Sequence, residues 1–324
     1  MAEKKTIAFA VLQVLQKYTD SEHILTRDEL FNHLKVGYDI QMDRRTLYTC
    51  VDMLQGFGYQ ISDYRMNGKG YQLVDREFEE SEAELLCNAV HASNFIPRRY
   101  SDELIRKILS TQSEYVTQDY RHTVYMENLR KKENPEFFQN LQKLMEAIRC
   151  RQKVQFKYMH YDLNKHMVPR RKEPYIVSPY YMVYYNGKAY LICRSEHHED
   201  TFSHYRVDRI QKVKILEEQA PKLKKKEDPY RYAANKLYMY GGEEVSVKLV
   251  CDNRVLDDLI DLYGKSIPIS AADETHFKTT IRSTAQGAVI LAQQYLGSME
   301  VIEPAEVRDA VLEQLKQGIE KYSK

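Results

Sequence analysis

The sequence predicts a multidomain α+β protein, because helix-like and strand-like stretches alternate in blocks along its 324 residues. A chain of this length exceeds one ordinary domain, so two or three domains are expected. Apolar residues make up 43% of the chain, which is enough to build ordinary hydrophobic cores. The pattern divides the chain into three helices with a hairpin (1–75), a helical connector (76–133), a strand-rich centre (134–219), a linker (220–234) and a mixed C-terminal domain (235–324).

Composition narrows the function classes. The formal net charge is +1, so any nucleic-acid surface must be a local patch. The five cysteines show no C-x-x-C spacing, which is typical of buried thiols in a reducing compartment. No apolar run approaches the roughly eighteen residues of a membrane span. No nucleotide-binding or hydrolase motif is present. We therefore expect a cytoplasmic, non-catalytic protein with no metal, no cofactor and no membrane partner.

The first 75 residues have the layout of a winged helix-turn-helix. Thr26 and Glu29 have capping-box spacing at the start of the second helix, and Asp43 is placed to cap the third. Strand-like runs at 59–64 and 71–74 follow as a hairpin. The apolar stripe predicted for the third helix is Leu47, Cys50, Val51 and Leu54.

In that module the third helix enters the DNA major groove, and its N-terminal residues read base edges. Arginine suits guanine, whereas hydroxyl groups suit phosphates or bases. The alternative is a helical interaction domain whose arginines are only solvated. The order of elements, the caps and the glycines favour binding of double-stranded operator DNA. The residues expected to contact DNA are Arg44, Arg45, Thr46, Tyr48 and Thr49 on the third helix, with Lys69 at the hairpin tip.

A second hairpin lies in the centre of the chain. Asn186-Gly187 is a strong two-residue turn signal, which fixes the register of its strands. Tyr185 should face Lys188, Val183 should face Tyr190, and Tyr181 should face Ile192. Alternation predicts that Tyr190, Ile192 and Arg194 share one face, and that adjacent tyrosines in the first strand point to opposite faces.

Residues 187–192 (GKAYLI) and 204–210 (HYRVDRI) resemble the core of a WYL domain, a small Sm-like β-barrel of bacterial transcription regulators. Ala189 stands where the family has its tryptophan, which puts any role of an indole in doubt. The resemblance implies a helical connector that joins a DNA-binding domain to a sensor, and a C-terminal extension domain. Helical connectors often dimerise, so a homodimer is expected.

The face of this barrel is the best candidate ligand site. Arginines with nearby tyrosine and histidine can bind phosphates and stack bases. The resemblance implies the same ligand class, either a single-stranded nucleic acid or a nucleotide-like molecule. The alternative is that Arg206 and Arg209 pair with Asp208 to hold the barrel together. The candidate ligand-binding residues are Ser178, placed by analogy, and Tyr190, Arg194, His204, Arg206 and Arg209.

Two other segments complete the interpretation. The histidines and acids at 197–200 (HHED) could suggest a metal site, but a solvated hairpin loop is the better interpretation. The C-terminal pattern reads β-α-β-β-α-β with a closing helix, which predicts a ferredoxin-like domain. The resulting hypothesis is a transcription regulator with a ligand sensor. The rival is a nucleic-acid-processing or defence-associated accessory protein that recruits RNA or single-stranded DNA without regulating a promoter.

Overall fold

The structure is a computed structural model that describes residues 2–123, 134–185, 187–195, 198–223 and 242–323. It divides into two compact units, Met1–Glu133 and Asn134–Lys324. Helices dominate the first unit, and the second contains two separate main sheets. The predicted multidomain α+β class is confirmed at this level. No helix within the described ranges is long and apolar enough to cross a membrane.

The core of the first unit is built by three helices: α1 (Ala2–Tyr18), α2 (Arg27–Tyr38) and α3 (Arg44–Gly56). Leu15 of α1 and Leu30 of α2 are fully buried and belong to the same apolar cluster as α3. The stripe of α3 is buried as predicted, at Leu47, Cys50, Val51 and Leu54. Amphipathic spacing alone therefore identified the buried side of this helix.

Both predicted helix caps are present. Thr26 Oγ1 accepts a hydrogen bond from the Glu29 backbone N, and the Thr26 backbone N donates to Glu29 Oε2 at 2.8 Å. Asp43 Oδ1 accepts from the Thr46 backbone N at 2.7 Å. Helix α2 ends at Tyr38, because Asp39 adopts the left-handed conformation that ends a helix.

The hairpin after α3 is shorter than predicted. Its strands are β1 (Ile61–Ser62) and β2 (Gln72–Leu73), and a helical turn, α4 (Tyr64–Asn67), lies between them. Asp63 Oδ1 caps α4 by accepting from the Arg65 backbone N at 2.8 Å. Such local side-chain bonds compete with strand pairing, which explains why the run 59–64 does not continue as a strand.

This hairpin is fixed to the start of α2. Leu25 and Tyr71 form an antiparallel bridge, with the Tyr71 backbone N donating to the Leu25 carbonyl at 2.7 Å. A Cβ atom at Gly70 would lie 2.2 Å from the Leu25 carbonyl oxygen. Only glycine allows this close approach of the two backbones.

Three more helices complete the first unit: α5 (Glu80–Ala92), α6 (Arg98–Leu109) and α7 (Glu114–Thr123). The Arg76 guanidinium donates to the carbonyl oxygens of Gln16, Thr19 and Thr111. Ser113 Oγ donates to Asp20 Oδ2 at 2.6 Å. These bonds join the predicted connector to the end of α1. Residues 124–133 of that connector lie outside the described residues.

The second unit begins with α8 (Phe137–Cys150) and a sheet of six strands in the order β4-β3-β5-β6-β7, with β8 also paired to β3. The sheet curls as a half-barrel, since β3 pairs with β5 on one edge and with β8 on the other. The strands are β3 (Gln152–Tyr161), β4 (Met167–Pro169), β5 (Tyr175–Tyr185), β6 (Lys188–Ser195), β7 (His198–Arg206) and β8 (Ile210–Gln219).

The register predicted for the central hairpin is confirmed at all three pairs, including Val183 with Tyr190. One expectation about its tyrosines is wrong. A bulge between Pro179 and Tyr181 interrupts the alternation, and both Tyr180 and Tyr181 contact the ring of Phe202. Asn186, the first turn residue, lies outside the described residues.

The last part of the second unit is a four-stranded antiparallel sheet in the order β10-β11-β9-β12. Its helices pack against one face, where Leu249, Phe277 and Leu291 are buried in one cluster. The predicted linker from 224 onward and residues 235–241 lie outside the described residues. The elements are β9 (Glu244–Asp252), α9 (Leu256–Tyr263), β10 (Ile269–Ala271), β11 (His276–Thr284), α10 (Ala285–Gln294), β12 (Met299–Glu303) and α11 (Ala305–Tyr322).

Candidate nucleic-acid interface and ligand face

The N-terminal turn of α3 presents several of the residues expected to contact DNA. Arg44, Arg45 and Thr49 are exposed, but Thr46 and Tyr48 are half-buried. Tyr48 is half-buried because it packs at the rim of the apolar cluster. The exposed arginines come directly after the Asp43 cap.

Tyr48 is held on two sides. Arg44 Nε donates to the Tyr48 hydroxyl at 2.7 Å, and the Arg44 guanidinium lies 5.2 Å from the ring centroid. Burial, together with the neighbouring Tyr48 and Asp63, raises the pKa of the Tyr71 hydroxyl to about 12. Tyr48 is therefore a supporting residue as well as a surface residue.

The remaining predicted contacts differ in how available they are. Thr49 Oγ1 donates to the carbonyl of Arg45 within its own helix at 3.0 Å. Among the described residues, no side-chain hydrogen bond engages Arg45 or Lys69. Lys69 is exposed at the hairpin tip, where Asn67 Oδ1 accepts from the Lys69 backbone N at 2.7 Å.

Sequence reasoning missed Arg65. This exposed residue lies on α4, with its guanidinium 5.7 Å from the centroid of the Tyr48 ring. The strand predicted for residues 59–64 ends just before Arg65. The signal that could have found it is Asp63, a good N-cap residue, followed by a glycine at 68 that ends one helical turn.

The predicted ligand face is mostly a packed surface. Tyr190 pairs in register with Arg206, and Ile192 pairs with His204. Tyr190 is only 8% exposed and joins Val183 and Ile192 in an apolar cluster. Burial raises the pKa of the Tyr190 hydroxyl. Much of this face is therefore unavailable for base stacking.

Arg206 has a carboxylate partner. Its Nε and Nη2 donate to Asp208 Oδ1 and Oδ2 at 3.0 and 2.8 Å. Asp208 is 2% exposed. Burial disfavours the charged guanidinium, but the Asp208 hydrogen bonds and charge outweigh it and raise the pKa of Arg206. This is the geometry expected if Arg206 holds the barrel together.

The backbone N of Arg206 donates to the Tyr158 hydroxyl at 3.2 Å, so β3 contributes to the same end of the face. Burial raises the pKa of Tyr158, while the Arg206 backbone and the charge of Arg209 act to lower it. Tyr158 was not predicted, because the pairing that brings β3 beside this corner is long-range.

Two arginines retain buried donors without partners. In the described part of the chain, Arg194 Nε and Arg209 Nε have no hydrogen-bond acceptor, although both atoms are buried. The Arg194 guanidinium lies 4.9 Å from the centroid of Phe202. Ser178 is paired in register with Arg194 and is 7% exposed. A buried donor without an acceptor carries a free-energy cost.

These residues form an extended line rather than one pocket. Arg194 is four positions from Tyr190 along β6, which corresponds to about 13 Å of extended strand. The structure brings Tyr190, Arg206 and Asp208 together at one end, and Arg194, Phe202 and Ser178 at the other. His204 lies between the two groups in register with Ile192.

The segment with histidines and acids after β6 differs from the predicted loop. Residues from His198 onward belong to β7, and His197 lies outside the described residues. Within the ranges that the structure describes, no group of three or more histidine, cysteine or carboxylate side chains could hold a metal ion.

Comparison with known proteins identifies one domain. Residues 139–215 match the WYL domain family, so the chain contains a WYL domain. No curated protein matches the chain. Proteasome accessory factor B/C (PafBC) of Arthrobacter aurescens is a similar solved structure, with 14% identity, a TM-score of 0.29, and coverage of 99% of this chain and 49% of that one.

A CRISPR Cas-related protein is a second similar solved structure, with 14% identity and a TM-score of 0.39. That similarity covers 77% of this chain and 75% of the other. The chain thus spans about half the length of the PafBC chain. At these TM-scores neither similarity supports a functional assignment.

Proposed function

We propose that this protein is a DNA-binding transcription regulator whose WYL domain binds a nucleic acid or nucleotide-like effector. The observation that carries the proposal is the exposed pair Arg44 and Arg45 at the capped start of α3, in a chain that also contains a WYL domain. The role is non-catalytic, and the expected protein partner is a second copy of the chain.

The DNA-binding part is a winged helix-turn-helix. Three helices followed by a hairpin have the order of that module, and α3 is its reading helix. Arg45 reads base edges, since among the described residues nothing holds its side chain back. Lys69, at the tip of the hairpin, contacts a backbone phosphate.

The effector binds along the Sm-like barrel. Arg194 and Arg209 supply the contacts, because their buried Nε donors lack acceptors in the described residues. Arg206 is mainly structural, given its bidentate pair with Asp208. The roughly 13 Å between the two ends of the line suits a short single strand better than one nucleotide.

The C-terminal extension is a ferredoxin-like domain. Its strand order β10-β11-β9-β12 and its β-α-β-β-α-β sequence of elements are those of a split β-α-β fold. An effector on the barrel then changes operator affinity by a coupling free energy between the two sites.

Binding selection with the purified full chain tests this proposal. A random pool of duplexes and a random pool of single strands are offered in parallel. Recovery of a double-stranded element with two related half-sites is the expected result. Enrichment of single strands alone would instead support an accessory nucleic-acid-binding protein without promoter regulation.

A further inference from the structure

We propose that Arg44 and Arg65, whose guanidinium groups both approach the ring of Tyr48, together bind one phosphodiester group of the DNA backbone. This phosphate site rests on the proposed function and deepens it. It moves Arg44 from base reading to backbone binding and adds Arg65, which lies on the hairpin rather than on the reading helix.

The two guanidinium groups converge on one ring. Arg44 lies 5.2 Å and Arg65 lies 5.7 Å from the centroid of Tyr48. A tyrosine face attracts each cation, but two like charges near one ring also repel each other. Among the described residues, neither guanidinium forms an ion pair with a carboxylate. An anion between them would relieve the repulsion.

The supporting residues are fixed before any ligand binds. The Tyr48 hydroxyl accepts from Arg44 Nε at 2.7 Å. Tyr71, a neighbour of Tyr48, is 1% exposed and bridged to Leu25. The Tyr64 ring meets the Tyr71 ring edge-on, with centroids 5.8 Å apart. The two guanidinium groups therefore lie beside aromatic side chains that are already packed, which lowers the entropy cost of binding.

There is room for a phosphate at this place. A cavity of about 340 Å³ lies beside Tyr48, and Arg44 and Tyr64, though not Arg65, contribute to its wall. Arg27 and the carboxylate of Asp28, which pair at 3.0 Å, line the same cavity. Arginine binds phosphate through parallel N–H donors, which Arg44 and Arg65 retain at their terminal nitrogens.

Phosphate fits the geometry better than a base edge. The hydrogen bond from Arg44 Nε to the Tyr48 hydroxyl joins positions i and i+4 of α3. It therefore holds the Arg44 side chain close to the protein surface. A base reader must project into the groove, as Arg45 can. The hairpin of a winged helix lies beside the DNA backbone, so a contact made jointly by α3 and α4 reaches the phosphate backbone of one DNA strand.

The test compares salt dependence in full-length variants. Arg44→Gln, Arg65→Gln and the double variant are titrated with the selected operator duplex and with a random duplex, over about 50 to 300 mM salt. Arg98→Gln is the matched control, since it removes an exposed arginine from α6 in the same unit. Thermal melts confirm that each variant is folded.

Because both arginines hold one phosphate, the double variant should reduce the salt slope by about 0.9, with a roughly ten-fold loss on both duplexes. The control should keep the wild-type slope. A fall of about twice that size would mean two independent contacts and overturn the shared site. Altered base preference, or no change, would also overturn it. If Arg44→Gln unfolds at a lower temperature than the wild type, the salt slope of Arg65→Gln alone is used to test the shared site.

The same titration separates this inference from the proposed function. A wild-type chain that binds no duplex at all would refute DNA binding itself. A wild-type chain that binds duplexes, with variants that behave identically to it, refutes only the phosphate site.

Discussion

Arg206 shows how one residue can fit two roles until its partner is located. The sequence placed Asp208 two positions away, but it could not show that this carboxylate is 2% exposed. A buried carboxylate without its cation is costly, because the charge has left water. The pair thus fixes Arg206 within the curled sheet, whereas the Nε donors of Arg194 and Arg209 have no acceptor among the described residues.

The first prediction is that Asp208→Asn destabilises the protein by about 3 kcal/mol, because it leaves the half-buried Arg206 guanidinium without its counter-charge. Thermal and urea unfolding of the full chain would measure the change in free energy of unfolding. Asp252→Asn is the matched control: Arg254 makes the same bidentate contact, but its side chain is 78% exposed.

The exposed control pair should contribute little, since solvent screens it. Equal destabilisation by both substitutions would mean that burial does not govern the Arg206 pair. Unchanged stability of Asp208→Asn would return Arg206 to the list of candidate ligand contacts.

At the scale of elements, the second prediction concerns the hairpin after α3. Gly70→Ala places a methyl group against the Leu25 carbonyl, so the two backbones must separate. We expect a loss of about 1–3 kcal/mol in the free energy of unfolding and weaker DNA binding, since Lys69 and Arg65 move with the hairpin. Unfolding and duplex titration would measure both effects.

Gly37→Ala is the control for that substitution. Gly37 lies inside α2, and nothing stands within 4 Å of its added Cβ. Alanine there should stabilise the protein by up to about 1 kcal/mol through its better helix propensity. The packing explanation fails if Gly70→Ala is tolerated as well as Gly37→Ala.

The third prediction concerns the junction between α1 and α7. Burial disfavours ionised Asp20, but hydrogen bonds from Ser113, His23 and nearby backbone N–H groups outweigh it and lower the pKa of Asp20. A lowered folded-state pKa contributes stability that is fully present above the unfolded value of about 3.9 and is lost as the pH falls below that value and through the folded-state pKa. Asp20→Asn should therefore destabilise the protein at pH 7.

Urea unfolding at about pH 7, 5 and 3 would follow that difference. The gap between wild type and Asp20→Asn should be largest at pH 7 and 5 and should shrink near pH 3. A gap that does not depend on pH would show that the carboxylate charge is irrelevant and that only the shape of the side chain matters.

Features of the fold that depend on residues close together in the sequence could be predicted. The stripe of α3 and the register of the central hairpin follow from helical spacing and a two-residue turn. Burial in helix α8 does not follow residue polarity: Met145 is 56% exposed, whereas Asn140 is 2% exposed. Asn140 Nδ2 donates to the Ile210 carbonyl at 3.1 Å. That long-range bond places a polar residue inside, which periodicity cannot show.

The candidate sites follow the same division. The exposed arginines of α3 could be predicted, because cap and stripe fix which side faces outward. Arg65 was missed, since the turn signals at Asp63 and Gly68 compete with a strand-like run that precedes them. Tyr158 could not be predicted, because β3 reaches the Arg206 corner through pairing with distant segments.

At the scale of the whole molecule, the fourth prediction is that the protein is a homodimer that binds two half-sites on one face of DNA. Light scattering should give twice the monomer mass at concentrations where operator binding is tight. Half-sites of a symmetric regulator are spaced by whole helical turns. Inserting about five base pairs between them should therefore weaken binding strongly, and inserting about ten should largely restore it.

A monomer in light scattering, together with an affinity that ignores the inserted half turn, would contradict this assembly. The two measurements are independent, since light scattering needs no DNA and the affinity titration does not measure mass. The full chain should be used, because Arg76 and Asp20 join the first 75 residues to the following helices.

The fifth prediction is that effector response can be separated from operator binding. Arg209→Gln and Arg194→Gln each remove a buried donor that lacks an acceptor in the described residues. If a phosphate-bearing strand satisfies these donors, each variant should bind short oligonucleotides about ten-fold more weakly or worse, since charge-assisted bonds contribute about 1.5–3 kcal/mol. Operator affinity without oligonucleotide should stay close to wild type, because neither residue belongs to the DNA-binding unit.

Operator titrations with and without short single strands would measure this separation, with thermal melts alongside. Arg254→Gln serves as the control, because it removes an exposed arginine from the end of β9, away from the barrel strands. Folded variants that respond to oligonucleotides as the wild type does would remove the barrel face as the sensor. Loss of operator binding in the absence of oligonucleotide would show instead that these arginines support the fold. A separate sensor requires that Arg194→Gln and Arg209→Gln, but not Arg254→Gln, weaken the effect of oligonucleotides on operator binding. That effect is a coupling free energy between two sites, so it can change while operator affinity alone does not.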